Sequence, residues 1–258
     1  MAIGLHLRST EDAAMDSGFY ATCAGLRAQS QALEVAAHNL ANVNTPGFRG
    51  EQTAFQSLLA LSGPRVSNAL NPATNNYGVL EGTHLDLSPG SLNTTGNPLD
   101  VGIEGSGFFA IQTAAGTRYT RNGGFQVART GELVTAHGDP VLGDTGVLRV
   151  PAGAVAVSPD GTLSVNGTVA GHIRVVDFPV GTRLTAEGGT LLSAPDGSAQ
   201  TAQQASLRQG TLESSNVNSI ASVVTLIGVQ RQAEMLGRAL GLFDTVFNRT
   251  AASELAKV

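Results

Sequence analysis

Histidine, cysteine and the acidic residues are the side chains of this sequence that could bind a metal or move a proton. His6, His38, His84, His137 and His172 stand far apart, with no HxH or HxxxH spacing, and Cys23 is alone on a helical stretch. A metal centre needs several such ligands converging, so neither a metal nor a cofactor is expected. Gly105-Ser106-Gly107 has the look of a phosphate loop, but it leads into Phe108-Phe109 and not into a helix, so it reads as a turn. Asp139, Asp144 and Asp160 each sit beside Pro140, Thr145-Gly146 or Gly161, the company that turn carboxylates keep. Glycoside hydrolysis needs two carboxylates across a cleft. No such pair is recognisable, and with no tryptophan and three tyrosines the chain is poor in platforms for sugars. A secreted, β-rich carbohydrate-active enzyme is therefore a remote alternative, and the expectation is a protein without catalysis.

Composition points the same way. The chain has 258 residues, enough for a sizeable core, and 41% of them are hydrophobic, which argues against disorder. Only 14% are charged, against roughly 25% in ordinary soluble domains. So sparse a charge suggests surfaces that end up buried against other chains. A net charge of −5 and scattered Lys and Arg argue against nucleic acid as a partner. No apolar run approaches the roughly 20 residues of a membrane span, so no membrane insertion is expected. Glu11 and Asp12 lie where a secretory signal would place its apolar stretch, so export by a cleaved signal peptide is not expected either.

The elements that would position any site follow from periodicity. Phe19, Leu26, Leu33 and Leu40 recur at a spacing of seven, with Thr22, Gln29 and Ala36 in the second seam position. This predicts a helix presenting one narrow stripe to other helices. It should stop at Asn42-Val43-Asn44-Thr45-Pro46-Gly47, because Pro46 pushes Thr45 out of the helical region and Asn and Gly tolerate left-handed angles. Leu226, Val229, Ala233, Leu236, Leu240, Phe243 and Phe247 keep a 3-4 spacing near the other end, with Ile220, Val223 and Ile227 expected to extend that face. Between them, short alternating runs are divided by Asn122-Gly123, Asp160-Gly161 and Asn166-Gly167, dipeptides that supply the angles of tight hairpins. The expected fold class is α+β: long terminal helices forming a coiled-coil domain, with an all-β module inserted. The expected boundaries are an extension at 1–15, helical segments at 16–61 and 214–258, an extended connector at 62–98, the β module at 99–192 and a returning connector at 193–213.

Three motifs carry a resemblance. Ala36-Ala37-His38-Asn39-Leu40-Ala41-Asn42-Val43-Asn44-Thr45-Pro46-Gly47-Phe48-Arg49 resembles the amino-terminal signature of bacterial flagellar rod and hook proteins, although His38 replaces the Asn more usual there. Tyr119-Thr120-Arg121-Asn122-Gly123-Gly124-Phe125, followed by Gly131-Glu132-Leu133-Val134, is similar to the family's central β motif. Gly210-Thr211-Leu212-Glu213-Ser214-Ser215-Asn216-Val217-Asn218, with Gln230-Arg231 beyond it, is similar to the carboxy-terminal one. The three stand in the family's order. Pro98-Leu99-Asp100-Val101, Gly138-Asp139-Pro140-Val141-Leu142-Gly143 and Val150-Pro151-Ala152-Gly153 are most similar to proximal rod members, with distal rod and hook proteins as the alternatives.

The resemblance implies a structural subunit of the basal-body rod that polymerises through its terminal helices. Its partners would be copies of itself, other rod and hook proteins, and the flagellar type III export apparatus, with the periplasmic rod as its location. An assembly-interface role is implied for Asn39, Asn42, Asn44, Thr45, Gly47, Phe48, Ser215, Asn216 and Val217, beside the two heptad stripes. Asn42 and Asn44 also read simply as a helix stop. Arg121 and Arg231 read as solvated or salt-bridged, or else as contacts between subunits. A coiled-coil scaffold of another secretion system would share the helices but not Thr45-Pro46-Gly47-Phe48 or Ser215-Asn216-Val217.

Overall fold

The computed structural model describes residues 4–57 and 78–255, with side chains described for 22–53, 83–242 and 245. Helix α1 spans Gly4–Ala41 and helix α2 spans Ser219–Leu255, and the strands lie between them. Helices at both ends and a β-rich middle make the fold α+β. At about 1.5 Å per residue, the 38 residues of α1 would run to roughly 57 Å. Helix α1 begins well before Asp16, within the stretch expected as an extension. Residues 5–17 contain no proline, and their Ala, Leu, Arg, Met and Glu sustain a helix without an apolar seam. The side chains of Phe19, Phe243 and Phe247 and the polar stretch 62–77 lie outside the described residues.

The chain divides into two compact units. One comprises Met1–His38, Thr53–Thr83 and Ile220–Val258; the other comprises Asn39–Gln52 and His84–Ser219. In the first unit, the most buried side chains of α1 are the small and polar ones, Thr22, Ala28, Gln29, Ala32 and Ala36, while Leu26 and Leu33 are half-buried, as is Leu40 at the end of the helix, in the second unit. Leu226, Val229, Ala233, Leu236 and Leu240 of α2 are likewise half-buried along one line. Ile220, Val223 and Ile227 do not extend that line; all three are exposed. At about 100° per residue, Val223 and Ile227 sit one step around the helix from Ser222 and Leu226, which hold the seam. Residues 51–57, expected within the helical segment, form strand Glu51–Ser57, which pairs with Gly78–Leu85.

In the second unit a six-stranded antiparallel sheet is ordered Thr185–Ala186, Leu192–Ser193, Gly116–Thr120, Phe108–Thr113, Val175–Asp177, Gln200–Thr201. A three-stranded sheet joins Val155–Val157, Thr162–Val165 and Thr168–His172. Their apolar faces meet in one core that includes Phe109, Ile111, Phe125, Leu133, Leu163, Ile173 and Leu207. Phe109 and Phe125 meet edge to face, with ring centroids 5.0 Å apart, a geometry that the ring quadrupoles favour.

Asn166-Gly167 makes the expected hairpin: φ is 51° and 82°, and Val165 faces Thr168 across it. Gly161, with φ of 96°, closes the loop from Val157 to Thr162. Asn122-Gly123 is no hairpin. A Cβ on Gly123 would lie 1.7 Å from the carbonyl oxygen of Val101, so glycine is there to let another strand's backbone approach. Nor are the two connectors merely connecting. Leu92–Thr94 pairs with Thr211–Glu213, and Val101–Glu104 pairs with Ser206–Gln209, setting Ile103 opposite Leu207. The β-rich unit therefore continues well past Leu192, because its closing strands have partners more than a hundred residues upstream.

Candidate functional site

The three motifs, far apart in sequence, meet in the second unit just beyond the end of α1. The amide of Asn42 bonds to the carbonyl of Asn39 at 3.2 Å and that of Val43 to Leu40 at 3.3 Å, tightening the last turn. Thr45 then donates its hydroxyl to Asn42 Oδ1 at 3.1 Å and accepts at its carbonyl from the Phe48 amide at 3.3 Å. Gly47, at φ of 70°, reverses the chain and donates its amide to the Glu213 carbonyl at 2.7 Å. A Cβ there would lie 2.2 Å from the Asn122 nitrogen. The first motif's glycine is thus pressed against the backbone of the second motif while bonded to the third.

Phe48 is buried beside it, and the next residue is the centre of the site. Arg49 Nη2 donates to Glu213 Oε1 at 2.6 Å, and Arg121 Nη1 donates to Glu213 Oε2 at 3.1 Å. The three side chains are 2%, 5% and 1% exposed for Arg49, Arg121 and Glu213 respectively. The backbone amide of Gly90 adds a bond to Glu213 Oε1 at 2.8 Å. Arg121 also donates to the carbonyls of Ile103 at 3.3 Å and Gly105 at 2.8 Å, and its guanidinium lies 5.3 Å from the Phe108 ring centroid. Burial pushes the Arg121 guanidinium below its ordinary pKa, and the charge of Glu213 opposes that push. Two guanidinium groups thus share one carboxylate out of water. Such a cluster holds only while each charge keeps its partners, and removing one partner typically costs about 3–5 kcal/mol.

Two asparagines fasten the strand that leaves this cluster. Asn39 donates Nδ2 to the Glu51 carbonyl at 2.7 Å and accepts the Glu51 amide at Oδ1 at 2.8 Å. Its side chain imitates a strand partner. Asn216 accepts the Gly50 amide at 2.8 Å and donates to the carbonyls of Asp86 at 2.8 Å and Ser88 at 3.1 Å. Ser88 holds the Asp86 carboxyl below the usual carboxylate range through its hydroxyl and its amide, and the positive charge of Arg49 helps.

Of the residues singled out from sequence, Asn39, Asn42, Thr45, Gly47, Phe48 and Asn216 are part of this junction. Ser215 accepts the Val217 amide at 3.2 Å beside it, Val217 lies against Gly50, and Asn44 is exposed in the turn. The junction does not include Leu26, Leu33, Leu226, Val229, Ala233, Leu236 or Leu240, which belong to the helical unit. Of the two arginines weighed, Arg121 is salt-bridged and Arg231 is exposed. Sequence reasoning missed Arg49 and Glu213 as a pair. The available signal was weak: an arginine between Phe48 and Gly50, and a glutamate among residues that otherwise carry no charge, Gly210 to Ser219.

Among the described residues no group of His, Cys, Asp and Glu could hold a metal, and no helix is long and apolar enough to cross a membrane. Two family models match the sequence: residues 19–49 fit the one described as flagella basal body rod protein, and residues 102–165 fit the D1 domain of flagellar hook proteins FlgE/F/G. The chain is 32% identical over 225 residues to the flagellar basal-body rod protein FlgF of Mesorhizobium japonicum, covering 85% of this chain and 90% of that one. With FlgF of Escherichia coli the identity is 33% over 260 residues, covering 89% and 95%. With the flagellar basal-body rod protein FlgG of Borreliella burgdorferi it is 30% over 258 residues, covering 90% and 96%.

Proposed function

The chain belongs to the family of flagellar basal-body rod proteins, and from that premise we propose that it is a proximal-rod subunit, polymerising through its terminal helices into the axial shaft that transmits torque. As a structural subunit of the rod it works in the flagellar basal body. Relatives named FlgF at 32–33% identity over nearly their whole length support the proximal position, and the distal rod protein is the second reading, supported by the FlgG of Borreliella. One structural observation carries the assembly role. The β-rich unit encloses its own core, whereas α2 holds Ile220, Val223, Val224 and Ile227 exposed within two turns. Apolar surface concentrated on one side of a long helix is surface awaiting other chains.

On this reading the helices pair as a coiled coil near the axis and stack against copies and other rod and hook proteins. Asn39, Thr45, Gly47, Phe48, Ser215, Asn216 and Val217, together with Arg49, Arg121 and Glu213, hold the three motifs together within the β-rich unit. This buried ionic and hydrogen-bonded joint lies wholly within the second unit. No catalysis is required; the work is mechanical. Export would proceed through the flagellar type III apparatus without cleavage.

The test is a strain lacking this chain. It should be non-motile and carry basal bodies whose rods stop short, and the full chain should restore both. Complete rods in the deletion strain, seen by electron microscopy, would overturn the reading.

A further inference from the structure

We infer that His172 is a proton-operated latch on the β-rich unit. Its doubly protonated ring ties the turn at Asp144-Thr145 to the turn at Asp160-Gly161, and loss of one proton lets the first turn go. The latch is independent of the rod reading. His172 ends strand Thr168–His172, and each of its ring nitrogens meets an oxygen from a different turn. Nε2 lies 2.6 Å from the Asp160 carbonyl oxygen, which can only accept, so Nε2 carries a hydrogen and donates it. Nδ1 lies 3.0 Å from Asp144 Oδ2, and a carboxylate oxygen likewise only accepts.

The Nδ1 atom is closed to water and meets no donor. A neutral ring would turn the Nδ1 lone pair on a carboxylate with nothing to satisfy it. A ring protonated at both nitrogens turns a positive N–H edge on it instead. The contact lies off the line of a good hydrogen bond, so charge rather than direction holds it. The charged groups facing the ring are Asp144, after strand Leu142–Gly143, and Asp160, before strand Thr162–Val165. Both are negative and favour the protonated ring. The Thr162 hydroxyl and amide hold the Asp160 carboxyl below the usual carboxylate range, and the charge of His172 adds to this. Thr162, opposite His172 in register, brings no charge, and Arg174, two residues on, is exposed.

The surrounding backbone is anchored without the proton. The Ile173 amide donates to the Gly161 carbonyl at 2.8 Å, and a Cβ on Gly143 would lie 2.5 Å from the His172 carbonyl oxygen. Beyond Gly143 the hold is weaker. The Asp144 amide reaches the His172 carbonyl only at 3.3 Å, and Gly146, at φ of 116°, has nothing within 4 Å of an added Cβ. The part that can move is therefore the tip Asp144-Thr145, between two glycines. As pH rises the Nδ1 proton passes to solvent, Nε2 keeps the shorter bond, and the Asp144 carboxylate faces a lone pair. The latch is closed in acid and open in alkali.

The test follows the histidine rings of the full chain by proton–nitrogen NMR, with His172 identified by the signal that His172→Gln removes. Asp144→Asn is the decisive variant, because its amide can donate to an unprotonated Nδ1 and so favours the neutral ring. In that variant the titration midpoint of His172 should fall by about half a pH unit or more, while that of the exposed His137 stays in place. Thermal melts give a second readout. The pair is partly exposed, so the parent should melt only about 2 °C above Asp144→Asn near pH 5.5, and no higher than it near pH 9. An unmoved His172 midpoint, or an equal movement at His137, overturns the latch. So does a melting difference that is the same at both pH values.

Discussion

In the β-rich unit, Phe109, Ile111, Val141 and Ile173 are wholly enclosed, and even the charged Glu213 has each oxygen bonded to a guanidinium. Its exposed apolar residues, such as Val127, Val147 and Val169, are scattered singly, which is ordinary for a protein surface. In the helical unit the pattern is reversed. The most buried positions of α1 are Thr22, Ala28, Gln29, Ala32 and Ala36, and its leucines are only half covered. On α2 the branched apolar residues face outward. One region completes its own core, and the other leaves apolar surface uncovered. A subunit built this way can separate two requirements: a rigid folded body, and ends that gain most of their burial on assembly.

The largest effect should come from placing a charge on the unfinished side. Leu33→Asp puts a carboxylate on a half-buried seam, which costs several kcal/mol unless paired, and repeats that cost at every subunit. Assembly and motility should be lost, while the isolated β-rich unit's signature in near-ultraviolet circular dichroism stays unchanged. Near-normal swimming would show that this face is not an assembly seam.

Next comes the joint. Glu213→Gln keeps the shape but leaves Arg49 and Arg121 without their shared counter-charge, an expected loss of about 3–5 kcal/mol. For a chain of this size that corresponds to a fall in melting temperature of roughly 10 °C. Thermal unfolding of the soluble chain measures it. A fall within about 2 °C would mean that the cluster contributes little beyond the core around it.

The same contrast explains how much of the molecule was legible in its sequence. The stop of α1 was legible because Asn42, Pro46 and Gly47 act locally, each through its own backbone. The hairpin at Asn166-Gly167 was legible for the same reason. Asn122-Gly123 has the same composition and a different cause, the close approach of Val101, which no local rule reveals. The strands 206–209 and 211–213 read as a connector because each is short and depends on a partner more than a hundred residues away. Glu213 was quoted within a motif, yet its burial between two arginines is a property of the folded chain. The exposed stripe on α2 was read as part of the seam, since a one-step rotation around a helix is invisible when both faces are apolar.

A pair of glycines sharpens the comparison within the β-rich unit. Gly167 has φ of 82° and nothing within 4 Å of an added Cβ, so Gly167→Ala should cost only the backbone term, about 1–2 kcal/mol. Gly47 has φ of 70° and would place its Cβ 2.2 Å from the Asn122 nitrogen. Gly47→Ala should therefore lose at least about 1 kcal/mol more than Gly167→Ala, since the backbone term is shared and the clash is with main chain. Equal losses in denaturant melts would show that the first and second motifs are not held in contact.

The smallest effect expected is that of acid on the joint. Asp86 accepts the Ser88 amide at 2.9 Å and offers its own amide to the Gly50 carbonyl at 2.8 Å. Its carboxyl is held below the usual carboxylate range chiefly by the Ser88 hydroxyl and amide, with a further contribution from the charge of Arg49. A carboxyl depressed on folding stabilises the folded chain fully above its unfolded value, about 3.9, and that contribution is lost as pH falls through the lower folded value. The joint should thus begin to loosen below about 4. The contribution is that of one or two hydrogen bonds at a partly open position, about 0.5–1 kcal/mol. Amide exchange at Gly50 and Ser88 should quicken in acid before that of Ile111 and Ile173 in the core, and Asp86→Asn should remove the difference between the parent at pH 5 and at pH 3. If the variant and the parent lose protection at these amides by the same amount over that range, the ionised carboxylate is not what ties Asp86 to the joint.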